Sequence, residues 1–121
     1  MIVEDNLDNL HMLAMVLREM GHTVDFVING YIAYDAIRRF RPDTVLLDLG
    51  IPGMSGFEIA QQIRKDPELQ GVRLIACTGY SEDKYRERAM AAGFDDYHVK
   101  PVDPQALRQW FGEAKDGFTR G

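Results

Sequence analysis

The chain has 121 residues, 45% of them hydrophobic, and a formal net charge of −5. A single domain of this size buries roughly 65% of its unfolded surface and needs no staples, and with Cys77 as the lone cysteine no internal disulfide can form. The acidic balance argues against nucleic-acid binding by this domain, no apolar run approaches the ~18 residues of a membrane span, and the first residues show no basic region leading into an apolar stretch, so no signal peptide is expected there.

Two periodicities alternate along the chain. Met1-Ile2-Val3 is a short apolar run, and Leu10, Leu13, Ala14, Leu17 and Met20 then recur at helical spacing up to Gly21. Thr23 to Val27 reads as a strand. Ile32 or Ala33, Ala36, Ile37 and Phe40 mark a second helix, closed by Arg41-Pro42. Thr44-Val45-Leu46-Leu47 is a continuous apolar run, the pattern of a parallel strand covered on both faces. Ser55 and Glu58 have capping-box spacing for a third helix running through Ile59, Ala60 and Ile63. Arg73 to Cys77 is the fourth strand, Ser81 the expected cap of a fourth helix ending near Gly93, and Tyr97-His98-Val99 a short fifth strand. Asp103-Pro104 supplies an N-cap and a first-turn proline for a fifth helix, with Leu107, Phe111 and Ala114 inward.

Five strands alternating with five helices imply a parallel sheet with helices on both faces, and such sheets bind ligands beyond the carboxyl ends of their strands. Those ends carry Glu4 and Asp5, Asp48, Thr78 and Lys100. Carboxylates crowded within about 4 Å repel by roughly 1–4 kcal/mol per pair, a conflict that a hard divalent cation such as magnesium resolves. Asp48 is the best nucleophile, able to form an acyl phosphate; Thr78 can hydrogen-bond a phosphoryl oxygen, and Lys100 can pair first with a carboxylate and later with the phosphate.

These residues carry a resemblance. Ile2-Val3-Glu4-Asp5-Asn6, Leu47-Asp48-Leu49-Gly50-Ile51-Pro52-Gly53-Met54-Ser55-Gly56, Thr78-Gly79 and Asp96-Tyr97-His98-Val99-Lys100-Pro101, in that order and each at an expected strand end, resemble a response-regulator receiver domain over essentially the full length. The resemblance implies a doubly wound (βα)5 flavodoxin-like sandwich with strand order 2-1-3-4-5. It also implies that Asp48 is the phosphoacceptor and a metal ligand, that Asp5 and the Gly50 carbonyl bind the metal directly, and that Glu4 acts through water. Thr78 and Lys100 take phosphate-contact roles, Thr78 and Tyr97 form a switch, and the Lys100-Pro101 bond is cis. The implied cofactor is Mg2+, or Mn2+. The implied partners are a histidine kinase or histidine phosphotransfer protein, with a homodimer through the fourth helix, fifth strand and fifth helix. The implied protein is cytoplasmic, and it assists its own phosphorylation and dephosphorylation rather than acting as an enzyme.

A binding module that keeps the fold without phosphorylation is the alternative, against which the intact set of five site residues argues. A flavodoxin-like carrier would want Ser, Thr and Gly where Glu4-Asp5-Asn6 stands, and an aspartate-based phosphatase a second acid where Gly50 stands. In the family resembled, the positions of Gly50 and Tyr80 tune how water reaches the phosphoryl group; the resemblance implies room for water at Gly50 and a shield at Tyr80, two opposed effects that fix no dephosphorylation rate. Met12 and Met15, off the main stripe of the first helix, are read as contacts for the phosphodonor. Cys77 is read as a core residue, and His11, His22 and His98 as too scattered for a metal site. The run Lys84, Arg86, Glu87, Arg88 is read as a solvated face, and Trp110 as either a core cover or part of an interface. The first strand is short against a usual five to six residues or so, so several more residues are expected upstream of Met1. Residues 115–121 read as a tail or the start of a linker.

Overall fold

The computed structural model describes residues 1–51 and 53–111. Elements run β1 (Ile2–Val3), α1 (Leu7–Glu19), β2 (Phe26–Val27), α2 (Gly30–Phe40), β3 (Thr44–Asp48), α3 (Gly56–Lys65), β4 (Arg73–Thr78), α4 (Asp83–Ala92), β5 (Asp96–Val99) and α5 (Pro104–Phe111), with a 3-10 turn at Pro67–Leu69 after α3. The strands form one parallel sheet in the order β2-β1-β3-β4-β5. The chain steps from β1 to β2 on one side and then crosses from β2 to β3 on the other side of β1, so the order reverses between β1 and β3, and this is where an open α/β sheet offers a crevice.

Two apolar cores lie on opposite sides of the sheet. One joins Val45 and Leu47 to Ala33 and Ile37 of α2, Ile59 and Ile63 of α3, and Ala89 of α4. The other joins Ile2, Leu46 and Ile75 to Leu10, Leu13 and Leu17 of α1 and Leu107 of α5. Alternate residues of the central strands feed alternate cores, which is why these strands are apolar throughout.

The helix ends follow local chemistry. Asn6 caps α1 by accepting from Asn9 N–H at 3.0 Å, and Ser55 caps α3 by accepting from Glu58 N–H at 3.3 Å. Asp103 Oδ1 accepts from Gln105 N–H at 2.9 Å at the start of α5.

Four expectations change. The second strand shrinks to Phe26–Val27, because its one neighbour in the sheet, β1, offers two residues of ladder. Phe40 is 47% exposed rather than inward, since α2 already covers the sheet with Ala33 and Ile37. Helix α4 is capped by Glu82, with no side-chain cap bond, rather than by Ser81. The preceding turn is committed elsewhere: the Tyr80 ring stacks on Tyr85 of α4, at 4.5 Å between centroids, and the Tyr80 carbonyl accepts from the Tyr97 hydroxyl. Met12 is half-buried and packs against the α1-side core. Ala114 and residues 115–121 lie outside the described residues.

Replacing Ile63 by Ala is expected to destabilise the fold by about 2–5 kcal/mol, since it leaves a cavity among buried neighbours. Phe40→Ala is expected to stay within about 1 kcal/mol. Urea unfolding of the two variants checks the contrast.

Candidate functional site

The sheet register builds the site. Ile2 pairs with Leu46 and Val3 with Leu47, so the next step along β1 brings Glu4 level with Asp48, the last residue of β3. Asp48 in turn pairs with Cys77 and Thr78 with Val99, which puts Thr78 at the end of β4 and Lys100 immediately after β5. The carboxylates of Glu4, Asp5 and Asp48 each place an oxygen within 4.8 Å of the others. Lys100 Nζ donates to Glu4 Oε1 at 2.5 Å and to Asp48 Oδ2 at 3.0 Å. The Lys100-Pro101 bond is cis.

The three acids differ in environment. Glu4 is 2% exposed. Besides Lys100, its carboxylate accepts from Asn6 N–H at 3.3 Å and Asn9 Nδ2 at 3.4 Å. Asp5 is exposed, and Asp48 is half-buried with Oδ1 accepting from Gly50 N–H at 2.9 Å. Burial raises the Glu4 pKa above its ordinary value of 4.5, with the neighbouring Asp48 adding to the rise and Lys100 opposing it. Burial works to lower the Lys100 pKa, but hydrogen bonds and charge from Glu4 and Asp48 outweigh it, and the ammonium is held above its ordinary 10.5.

Thr78 is 1% exposed, and its Oγ1 accepts from Tyr80 N–H at 3.2 Å. Tyr97 is buried, with its ring under the Arg86 guanidinium at 5.1 Å and its hydroxyl bonded to the Tyr80 carbonyl. Burial raises the Tyr97 pKa. A methyl group on Gly50 would lie 3.7 Å from both Asp48 Oδ1 and the Tyr80 hydroxyl. The Tyr80 hydroxyl therefore borders the space that Gly50 leaves open beside Asp48, a proximity that sequence spacing alone does not reveal.

The donor set is oxygen throughout, and three carboxylates face one ammonium. That chemistry fits a hard divalent cation, which binds oxygen and offsets the remaining negative charge. The residues set aside as bystanders behave so. Cys77 is buried, and burial pushes its thiol up to about 12, so it stays protonated. His11 is exposed, His22 is buried with its ring edge-on to Phe111 at 5.8 Å, and His98 stacks on Trp110 at 3.7 Å, so no two of them meet. Trp110, half-buried on His98 and the α1-side core, acts as a cover. The α4 charge run is exposed, as read, and Lys84, Arg86 and Arg88 each also lie over an aromatic ring.

The profile of the response regulator receiver domain matches residues 1–111. The polar-differentiation response regulator DivK of Brucella anthropi is 30% identical, over 94% of this chain and 96% of its own. The DNA-binding response regulator MtrA of Mycobacterium tuberculosis is 35% identical over 88% of this chain, which spans 46% of that longer relative. Among solved structures, the receiver domain of a sensor histidine kinase from Pseudomonas aeruginosa, with magnesium coordinated in its active site cleft, superposes with a TM-score of 0.79. It is 31% identical and covers 93% of this chain and 95% of its own. This chain belongs to the response regulator receiver domain family of two-component signal transduction. Among the described residues, no helix is long and apolar enough to cross a membrane.

The Lys100 contact generates a pH test. Lys100→Met removes the hydrogen bonds and charge that oppose the raised Glu4 pKa. The folded variant then holds a proton on Glu4 at a pH where the unfolded chain, near 4.5, has released it. Its stability relative to the parent should therefore rise as pH falls from about 7 to about 5. Urea midpoints of both proteins at the two pH values check this; a deficit that stays constant contradicts it.

Proposed function

We propose that this domain accepts a phosphoryl group on Asp48 from a phosphohistidine donor, with Mg2+ (or Mn2+) bound by Asp5, Asp48 and the Gly50 carbonyl. The observation that carries the reading is the Lys100 ammonium held between Glu4 and Asp48 on an otherwise acidic rim. In the transfer, the nitrogen–phosphorus bond of the donor breaks as a bond forms between phosphorus and an Asp48 carboxylate oxygen, and the electron pair returns to the imidazole. Held by Asp5, Asp48 and the Gly50 carbonyl, magnesium would supply positive charge to offset that of the carboxylates and the incoming phosphoryl group.

This chain's own groups do the rest. Lys100 offsets charge on Asp48 before transfer and on the phosphoryl group after it. Glu4, with both carboxylate oxygens engaged by Lys100, Asn9 and Asn6, acts on the metal through water and by holding Lys100. Thr78 gives up its contact with the Tyr80 amide to donate to the phosphoryl group, and the Tyr80–Tyr97 bond links that movement to the α4–β5 surface. The domain thus assists its own phosphorylation and dephosphorylation and works as a switch, not as an enzyme with a separate substrate.

The donor is a histidine kinase or a histidine phosphotransfer protein in the cytoplasm. It approaches along the outer face of α1, where Met15 is 58% exposed beside a depression of about 550 Å3 lined with His11, Arg18 and Glu19. Met12 is half-buried against the α1-side core, so Met15 offers the larger exposed surface to that contact. The α4, β5 and α5 face carries the output, including any homodimer.

Incubation with acetyl phosphate and MgCl2 should add one phosphoryl group by intact mass, and Asp48→Asn should abolish the gain. No gain in the parent, or undiminished labelling in Asp48→Asn, would return the domain to a binding module that works without phosphorylation. Met15→Lys should slow transfer from the true protein donor while leaving labelling by acetyl phosphate unchanged. Tyr80→Ala should speed loss of the phosphoryl group, because it clears the space beside Gly50 for water; a time course of the phosphorylated mass checks the direction.

A further inference from the structure

The start of α2 and the loop leading from Asp48 to α3 are locked together by contacts that phosphoryl chemistry does not use. A methyl group on Gly30 would lie 2.1 Å from the Met54 carbonyl oxygen and 2.9 Å from the Met54 nitrogen, so only glycine permits this approach. Gly53 has φ +93, and a methyl group there would lie 2.8 Å from the Tyr31 ring and 3.0 Å from Asn29 Oδ1. That same oxygen accepts from Tyr31 N–H at 2.7 Å and caps α2. Tyr31 is 69% exposed, so burial of its ring in the core does not account for its position; the ring lies against the Gly53 backbone. The loop is also tied at its two ends, by Gly50 N–H to Asp48 Oδ1 at 2.9 Å and by Gly56 N–H to the Leu49 carbonyl at 3.3 Å. Between these ties, Gly53 and Met54 rest on Asn29, Gly30 and Tyr31.

We infer that Asn29, Gly30 and Tyr31 are positioning residues for the metal site, bracing this loop so that the Gly50 carbonyl stands ready beside the carboxylates. The inference rests on the reading of Gly50 as a metal ligand. It assigns control of metal affinity to residues that touch neither the metal nor the phosphoryl group. Supporting groups of this kind commonly change metal affinity by about 10–100-fold when they are altered.

The test is calorimetric titration of MgCl2 into the parent, Gly30→Ala, Tyr31→Ala, Tyr31→Phe and Gly71→Ala proteins. Alanine is a better helix former than glycine, so a role confined to α2 predicts a Gly30→Ala protein with unchanged magnesium affinity. The brace predicts the reverse, with affinity about tenfold weaker in Gly30→Ala and weakened less in Tyr31→Ala. Tyr31→Phe keeps the ring and should bind like the parent. So should Gly71→Ala, whose added methyl meets no atom within 4 Å. Circular dichroism establishes that each variant is folded. Gly30→Ala decides if it folds, and Tyr31→Ala decides if it does not; parental affinity in the deciding variant overturns the brace. A parent that binds no magnesium sinks the metal-site reading and the brace with it, whereas a parent that binds while the variants bind equally well sinks the brace alone.

Discussion

The Lys100 ammonium, shared between Glu4 and Asp48, is the interaction on which the rest of the site depends. A parallel sheet in this order cannot avoid bringing the ends of β1 and β3 together, so acids at both ends must face one another at short range. Water relieves little of this at Glu4, which is buried. Lys100, arriving from the far end of β5, relieves part of the repulsion and leaves the rest as an appetite for a further cation. Crowding that would be a defect in a structural sheet is here the feature that suits the site to a hard cation.

Most of the fold was legible in the sequence because the signals were local and mutually consistent. Leu10, Leu13, Ala14, Leu17 and Met20 all point inward as their spacing implies, and the apolar run of β3 is buried between two layers of helices. The readings that changed were those where tertiary contacts override local preference. Phe40 fits a helical stripe, but α2 meets the sheet through Ala33 and Ile37 and leaves Phe40 exposed. Ser81 is a good capping residue, yet the Tyr80–Tyr85 stack and the Tyr80–Tyr97 bond set where α4 begins.

The site was legible for a different reason. Strand ends can be counted once the strands are known, so Glu4, Asp48, Thr78 and Lys100 were identifiable without coordinates. What spacing could not reveal was orientation: that the Tyr80 hydroxyl borders the gap at Gly50, that both oxygens of Glu4 are occupied, and that the first turn of α2 presses on the loop after β3. These are distances between residues far apart in sequence, and no periodicity encodes them.

Helix α4 buries only two of its residues, Ala89 and Ala92, and its three cations rest on ring faces. Methyl-sized anchors lose little when displaced, and a ring face holds a cation over a broad area rather than at a single docking point. Displacing α4 therefore costs little at the two alanines and strands no buried charge among these contacts; what it must break is the Tyr80–Tyr85 stack and the seat of half-buried Tyr85 on the core. The element joined to the site through Tyr80 and Tyr97 is thus the more lightly anchored of the two, since α3 is seated on Phe57, Ile59, Ala60 and Ile63. On the proposed reading, a change at Asp48 would meet less resistance on the α4 side of the sheet edge than on the α3 side.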